Sequence, residues 1–379
     1  MPDEIYRIKR RKVLKMGNCI RLRFVLIAFG GLSLLAGLWM GLTRLGWDLP
    51  LPTAIFPLLH GPVMIVGFLG TLITLERAAA MGRLWPYGAP MCAVLSVLAL
   101  AAGLPVQWAA TLAVISSAVL CVVFIALYRQ SPLAHFIVMA MSALVWIGGN
   151  SLWLAGFPLH RVAAWWAAFL VLMIAGERLE LSRLVKRRFL ADVLFHLCVA
   201  GIVIGLVYSV FDFPPGLRVA GIGLTCLAVW LILNDMARYT IVRPGLPRFM
   251  AICLIVGYLW LIVAGVLWLT SASQFVAGPS YDAMLHTIFL GFVFSMIFAH
   301  APVIFPSITG IDLPFSPIAY GYAGLLHVAL VLRVAGDLAL WRGGQQWGGM
   351  LNVIAILLFL LTNVRPAIIR RSQFIKGEK

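Results

Sequence analysis

The stretch Met284-Leu285-His286-Thr287-Ile288-Phe289-Leu290-Gly291-Phe292, running on to His300, carries a histidine just inside the start of a long apolar run. An earlier stretch, Leu58-Leu59-His60-Gly61-Pro62 through Gly67-Phe68, has the same form: Leu-His, then Gly-Phe further along. An ionisable, metal-ligating side chain inside an apolar span is costly, so it marks a functional site by default. We read the rest of the chain as a scaffold that brings His60 and His286 together.

Apolar runs of this kind recur from Phe24 to the C-terminus, each with the roughly 20 residues needed to cross ~30 Å of hydrocarbon. Hydrophobic residues make up 63% and charged residues 11%, with mean hydropathy +1.02; a soluble chain has about 25% charged residues. The expectation is an all-α, polytopic membrane helix bundle forming a single integral-membrane domain over 1–379. Its parts are a basic cytoplasmic segment (1–23), a bundle of about twelve transmembrane helices (24–368) and a cytoplasmic tail (369–379). Spans are expected at 24–42, 53–75, 87–104, 108–128, 134–155, 161–176, 190–211, 217–233, 249–271, 283–305, 318–340 and 348–368. Short links such as Gly103-Leu104-Pro105-Val106-Gln107 and Gly156-Phe157-Pro158 make neighbouring spans antiparallel.

The net charge of +16 does not point to nucleic acid, because the basic residues sit at alternate junctions. With the N-terminus inside, 24 of the 29 Lys and Arg lie on the inner side. Twelve spans with both termini cytoplasmic satisfy the positive-inside rule, and a bacterial cytoplasmic (inner) membrane is the expected location. The basic start resembles a signal n-region, but the apolar run after it is long for an h-region, so it reads as a retained first helix. Tryptophans 39, 47, 85, 108, 153, 341 and 347 fall near span ends, as in an aromatic belt. Six cysteines are scattered singly, with neither C-x-x-C nor C-x-x-C-H, so no zinc pair or covalent c-type haem is expected. Acid-Arg pairs recur at inner ends: Glu76-Arg77, Glu177-Arg178 and, three residues apart, Asp235 and Arg238. They read either as interfacial charges snorkelling to the headgroups, or as an inner salt-bridge ring or proton entry.

His60 and His286 fall at similar depths in the outer third of spans 2 and 10, on the helical rise of ~1.5 Å per residue. Imidazole is the usual ligand of b-type haem iron. Two imidazoles at one depth could grip a haem edge-on, their nitrogens roughly 4 Å apart on the ~2 Å scale of His–metal bonds. Gly61, Gly67, Gly70 and Gly291 would admit the porphyrin face. Arg333, near the outer end of span 11, is a candidate partner for the propionates, with Asp337 at i+4 as its own partner. Asp282 either orients His286 as an acceptor behind the ligand or, with Ser280, only caps the helix. A polar packing role or a transport pathway are the other readings of the pair. His327 lies mid-span, His135, His196 and His300 at inner ends and His160 at an outer end. Met284 or Met296 is an alternative axial ligand, and His300 with His135 or His196 is a weaker candidate for a second haem.

This placement resembles subunit I of the haem-copper oxidase and nitric oxide reductase superfamily, in which histidines of the second and tenth of twelve helices hold low-spin haem. His60 and His286 match those positions, and Arg333 is similar to the arginines that meet the propionates. Met284 stands where that family has a further histidine, and its copper ligands in helices 6 and 7 have no counterpart here. A closer likeness is to the NnrS family of membrane proteins of nitric oxide response, which bind haem and copper. Leu59-His60 through Gly67-Phe68-Leu69-Gly70-Thr71, and Leu285-His286 through Gly291-Phe292 to Met296, look like its two recurring segments. The resemblance implies a membrane b-type haem protein with bis-His haem b between helices 2 and 10, copper besides, and a role in electron transfer or in the response to nitric oxide or another diatomic gas. A respiratory-chain or quinone redox partner would join the lipid bilayer. The rival classes are a non-haem solute transporter and a structural subunit of a respiratory complex.

Overall fold

The structure is a computed structural model that describes residues 2–53, 55–182 and 188–377, with the side chains of 20–53, 55–182 and 188–363. Those residues are almost wholly helical and contain no strand. The main helices, in chain order, are α1 (Pro2–Arg44), α2 (Phe56–Met81), α3 (Gly88–Ala101), α4 (Val106–Gln130), α5 (Ala134–Leu154), α6 (Leu159–Leu181), α7 (Phe189–Phe211), α8 (Phe213–Asn234), α9 (Leu246–Thr270), α10 (Pro279–Thr309), α11 (Ile318–Leu338) and α12 (Arg342–Gly377). All but α3 contain a stretch long and apolar enough to cross a membrane, which makes eleven among the described residues. The third expected span is the exception. α3 has 14 residues, and its chain leaves the helix at Ala102 and Gly103, the latter at φ +71°. At 1.5 Å per residue it is roughly 21 Å long, short of the ~30 Å core.

Burial orders the helices. The most apolar window of α6 is 78% buried and that of α7 only 28%, so α6 is central and α7 faces lipid. A helix apolar all round must be buried or lipid-facing, and α6 buries every residue from Val162 to Met173. Its Trp166 donates to Asn150 Oδ1 on α5 at 2.8 Å, and Asn150 in turn donates to the Ala113 carbonyl of α4 at 3.0 Å.

Small residues bring α7 and α8 together. A Cβ on Gly205 would stand 2.3 Å from the Ala220 backbone nitrogen, and one on Gly216 would stand 2.2 Å from that of Ser209. Backbone cannot yield as a side-chain tip can, and close approach through small residues is how helices associate in lipid. Gly205→Leu is expected to part α7 from α8 and lower the thermal midpoint in detergent by several degrees, whereas Ile204→Leu on the exposed face leaves it in place.

Five of the seven tryptophans expected near span ends are exposed, namely Trp39, Trp85, Trp108, Trp341 and Trp347, but Trp153 is buried edge-on against Trp166.

Candidate haem cleft

α2 and α10 share a local device that sequence periodicity did not reveal. In each, a π-helical run follows the histidine: Val63–Gly70 after His60 and Thr287–Phe294 after His286. π-bulges are rare and cluster at functional sites. The two helices meet twice at the same offset. The His60 and His286 rings lie 6.3 Å apart at 29°, and eight residues on, the Phe68 and Phe294 rings lie 6.0 Å apart at 26°. Both helices continue unbroken, from Phe56 to Met81 and from Pro279 to Thr309.

The two imidazoles line a cavity of about 900 Å³ that opens at the end of the bundle away from the basic N-terminus. We call that end the cavity face and the other the basic face. Its walls are largely apolar, with Leu38, Met64, Trp166 and Phe289 among them, and Phe294 lies deeper along α10. Arg44, Arg333 and Arg342 line it too, with His160, Asp282 and Asp337.

The tautomer of each ring follows from its neighbours. His60 Nδ1 lies 2.8 Å from the Gly37 carbonyl, and His286 Nδ1 lies 2.9 Å from the Asp282 carbonyl. A carbonyl can only accept, so each Nδ1 donates its proton and each Nε2 keeps its lone pair. This is how a metal-ligating histidine is usually held. The Asp282 carboxylate adds a second contact to His286 Nδ1, at 3.1 Å. It orients the ring and makes no side-chain cap on the helix, whose cap residue is Gly278.

Arg333 meets a different partner from the one its spacing suggests. Its Nε and Nη2 donate to the Asp282 carboxylate at 2.7 and 2.9 Å. Asp337, expected as its i+4 partner, lies against Asp282 instead. A carboxylate arriving from α10 can meet both nitrogens of the guanidinium at once. Arg333 Nη2 also stands 3.4 Å from His286 Nε2, a contact too long to compete strongly with a metal, and Arg333 stays held by Asp282 without it.

The glycines need correction as well. Gly67, Gly70 and Gly291 do not face the cavity: they seat Val97 and Ser33, Trp146 and Trp260, respectively. Gly61 does line it, and so does Gly41 of α1, where a Cβ would stand 3.2 Å from His60 Cε1. α1 therefore supplies both the carbonyl that orients His60 and the gap that the ring occupies. Neither was singled out from sequence, although the small residues Gly30, Gly31, Gly37 and Gly41 along α1 were a signal. Gly41→Val is expected to push the ring off its position and to lower any uptake of added haem severalfold, while the circular dichroism of the bundle is unchanged.

The other histidines separate clearly. Trp260 Nε1 donates to His327 Nδ1 at 3.1 Å, so the lone pair of that nitrogen is engaged and the ring serves packing. His196 is exposed, and its Nδ1 donates to the Asp192 carbonyl at 2.7 Å. His135, expected at the interface, is buried near Glu180. His160 lines the cavity and stands edge-on to Phe213. Met284 is buried and absent from the cavity lining, as is Met296.

The His60 and His286 ring centroids, 6.3 Å apart, have the separation that an iron between two Nε2 atoms would require. Two Fe–N bonds of about 2 Å, plus roughly 1 Å from each nitrogen to its ring centre, give about 6 Å. The apolar walls suit the macrocycle, and the arginines suit its carboxylates. Among the described residues no group of three or more His, Cys, Asp or Glu gathers around one point; two axial ligands are all that a haem iron asks of the chain.

Residues 23–368 match the model of one family, described as Domain of unknown function (DUF8744). No curated protein and no solved structure matches the chain.

Proposed function

The chain belongs to the DUF8744 family, and we propose that it is a membrane b-type haem protein that carries electrons, with haem b held between His60 of α2 and His286 of α10. The single observation that carries this reading is the imidazole pair. The rings are 6.3 Å apart, and both Nδ1 atoms donate to carbonyls.

The haem supplies one-electron chemistry when bound. The chain does the rest. His60 and His286 present lone pairs from two helices fixed by the Phe68–Phe294 contact. Asp282 orients His286 and holds Arg333. Arg44 and Arg342, with Arg333, offer cations to the propionates. Trp166 and the aliphatic walls would exclude water from a group bound in the cavity. If both His60 and His286 held the iron, no site would be left for a diatomic ligand, which favours electron transfer over gas binding. A role in nitric oxide response, copper binding and kinship with NnrS and with oxidase subunit I stand as extensions of the same proposal. So do a quinone or respiratory-chain redox partner and an inner-membrane location with both termini cytoplasmic, which the charge distribution supports. A solute carrier would be expected to break helices at its binding site, whereas α2 and α10 run through theirs.

The test is the reduced-minus-oxidised spectrum of the purified protein with a haem assay. One haem b per chain supports the proposal. A chain that stays free of haem when expressed with excess haem supply refutes it.

A further inference from the structure

The half of the bundle nearer the basic face holds a second polar cluster, at the meeting of α2, α6 and α10. Arg77 of α2 pairs with Glu76 beside it and with Glu177 of α6. Arg178, next on α6, is 4% exposed and lies against Asp235 and Tyr258 of α9. Asp235 follows the end of α8; burial pushes its carboxyl up from the ordinary value, opposed by Arg178 and the Ala237 amide. These acid-Arg pairs are thus ties between helices and not charges reaching out to headgroups.

His300 of α10 is aimed into this cluster. Its Nδ1 donates to the Met296 carbonyl at 2.7 Å, so Nε2 carries the lone pair. That nitrogen is buried and has no hydrogen-bond partner, and Glu177 and Arg178 are near enough to act on it by charge. Arg77 Nε, Arg178 Nε and Thr71 Oγ1 are likewise buried and without a partner. Buried polar atoms are nearly always satisfied, by ordered water where protein does not reach. Two arginine Nε–H donors and the lone pair of one histidine thus lie buried in this cluster, groups of the kind that ordered water satisfies. A macrocycle does not fit there, because Nε2 is closed off on all sides, unlike the cleft at the cavity face.

Resting on the haem reading above, we propose that His300 is a proton-accepting site, loaded from the basic face through the Glu76–Arg77–Glu177 group, which takes up a proton as the haem cleft in the other half gains an electron. The electron comes from a one-electron carrier, an electrode in the test. The proton comes from hydronium on the basic side: one O–H bond breaks, leaving water, as the N–H bond forms on the Nε2 lone pair of His300, and each proton taken up offsets part of the electron's charge. The charges acting on this imidazole are Arg178 and Glu177 of α6; Arg77 of α2 pairs with Glu177 and with Glu76 behind it, and Asp235 and Tyr258 lie beyond Arg178. His135 of α5 lies beside Glu180. Arg23 of α1 is committed to Tyr87 and the Ile308 carbonyl.

His286 and His300 are fourteen residues apart on one helix, about 20 Å. At an effective dielectric near 20, a unit charge at that distance changes proton affinity about fourfold, which allows a peak uptake of roughly one third of a proton per haem. The experiment is electrochemical reduction of the haem-loaded, full-length protein in detergent with a pH-indicating dye, for wild type and His300→Gln. The expected result is uptake of about that size in wild type and its loss in the variant, with the haem spectrum unchanged. A second measurement needs no haem: an imidazole infrared band that titrates in the cofactor-free wild type and is missing from His300→Gln. Reduction without uptake in a haem-loaded protein, or equal uptake in the variant, overturns the proton site and leaves the haem reading standing. A protein that binds no haem fails the haem reading and the coupling together, with the infrared titration alone deciding whether His300 takes a proton.

Discussion

His60→Ala and His286→Ala are each expected to remove the haem α-band, not merely to shift it. The reason is geometric. Each imidazole is delivered by its own helix and oriented by its own carbonyl, Gly37 for His60 and Asp282 for His286. No other described histidine stands at that level with a free lone pair facing the cleft except His160, which has a ring contact to Phe213 at the cavity lining. A haem bound as proposed would keep one protein ligand in a cleft open at one end and is expected to be lost on purification. Haem content should fall at least tenfold in either variant, measured by pyridine extraction per mole of protein. His327→Ala should retain haem at the wild-type level, because that ring is engaged with Trp260. If the His60 and His286 variants kept wild-type haem, the iron would have to sit elsewhere.

Asp282→Asn carries the second large effect. The carboxylate is the hub of the cavity face: it accepts two bonds from Arg333 and a contact from His286. Arg333 is only 6% exposed. Removing the partly exposed carboxylate leaves the buried guanidinium without its two acceptors, at a cost of about 1–3 kcal/mol. The freed guanidinium already lies 3.4 Å from His286 Nε2, so haem affinity should fall as well. The double variant Asp282→Asn/Arg333→Gln strands no charge and should recover much of the stability, a coupling that a double-mutant cycle of thermal or denaturant unfolding would read directly. Equal destabilisation in the single and double variants would show that the pair is not the source. The same stability ranking should hold in cofactor-free protein, which separates the ion pair from the haem.

The sequence pattern and the structure agree where one physical rule dominates. Hydrocarbon demands long apolar helices, and the expected spans fall on the observed helices with ends a few residues apart; α3 departs because Ala102 and Gly103 end it early. The His60–His286 pairing was legible because a titratable ring inside an apolar run has few uses. What hydropathy could not convey is which neighbour a side chain meets. Asp337 is four residues from Arg333 and adjacent on the helix surface, yet Asp282 from α10 takes the guanidinium. Gly67, Gly70 and Gly291 were legible as close-approach positions, but spacing does not say whether helix or cofactor approaches. The π-helical runs left no periodic signature in segments apolar all round. Gly37 contributes a backbone carbonyl, which no side-chain pattern records.

The most direct measurement is the low-temperature electron paramagnetic resonance spectrum of the oxidised, purified protein, paired with near-infrared magnetic circular dichroism to identify the axial ligands. With two imidazoles whose rings lie 29° from parallel, the account predicts a low-spin ferric signal of rhombic type and a charge-transfer band of bis-histidine ligation. A high-spin ferric signal, or a band of histidine–methionine ligation, would contradict it.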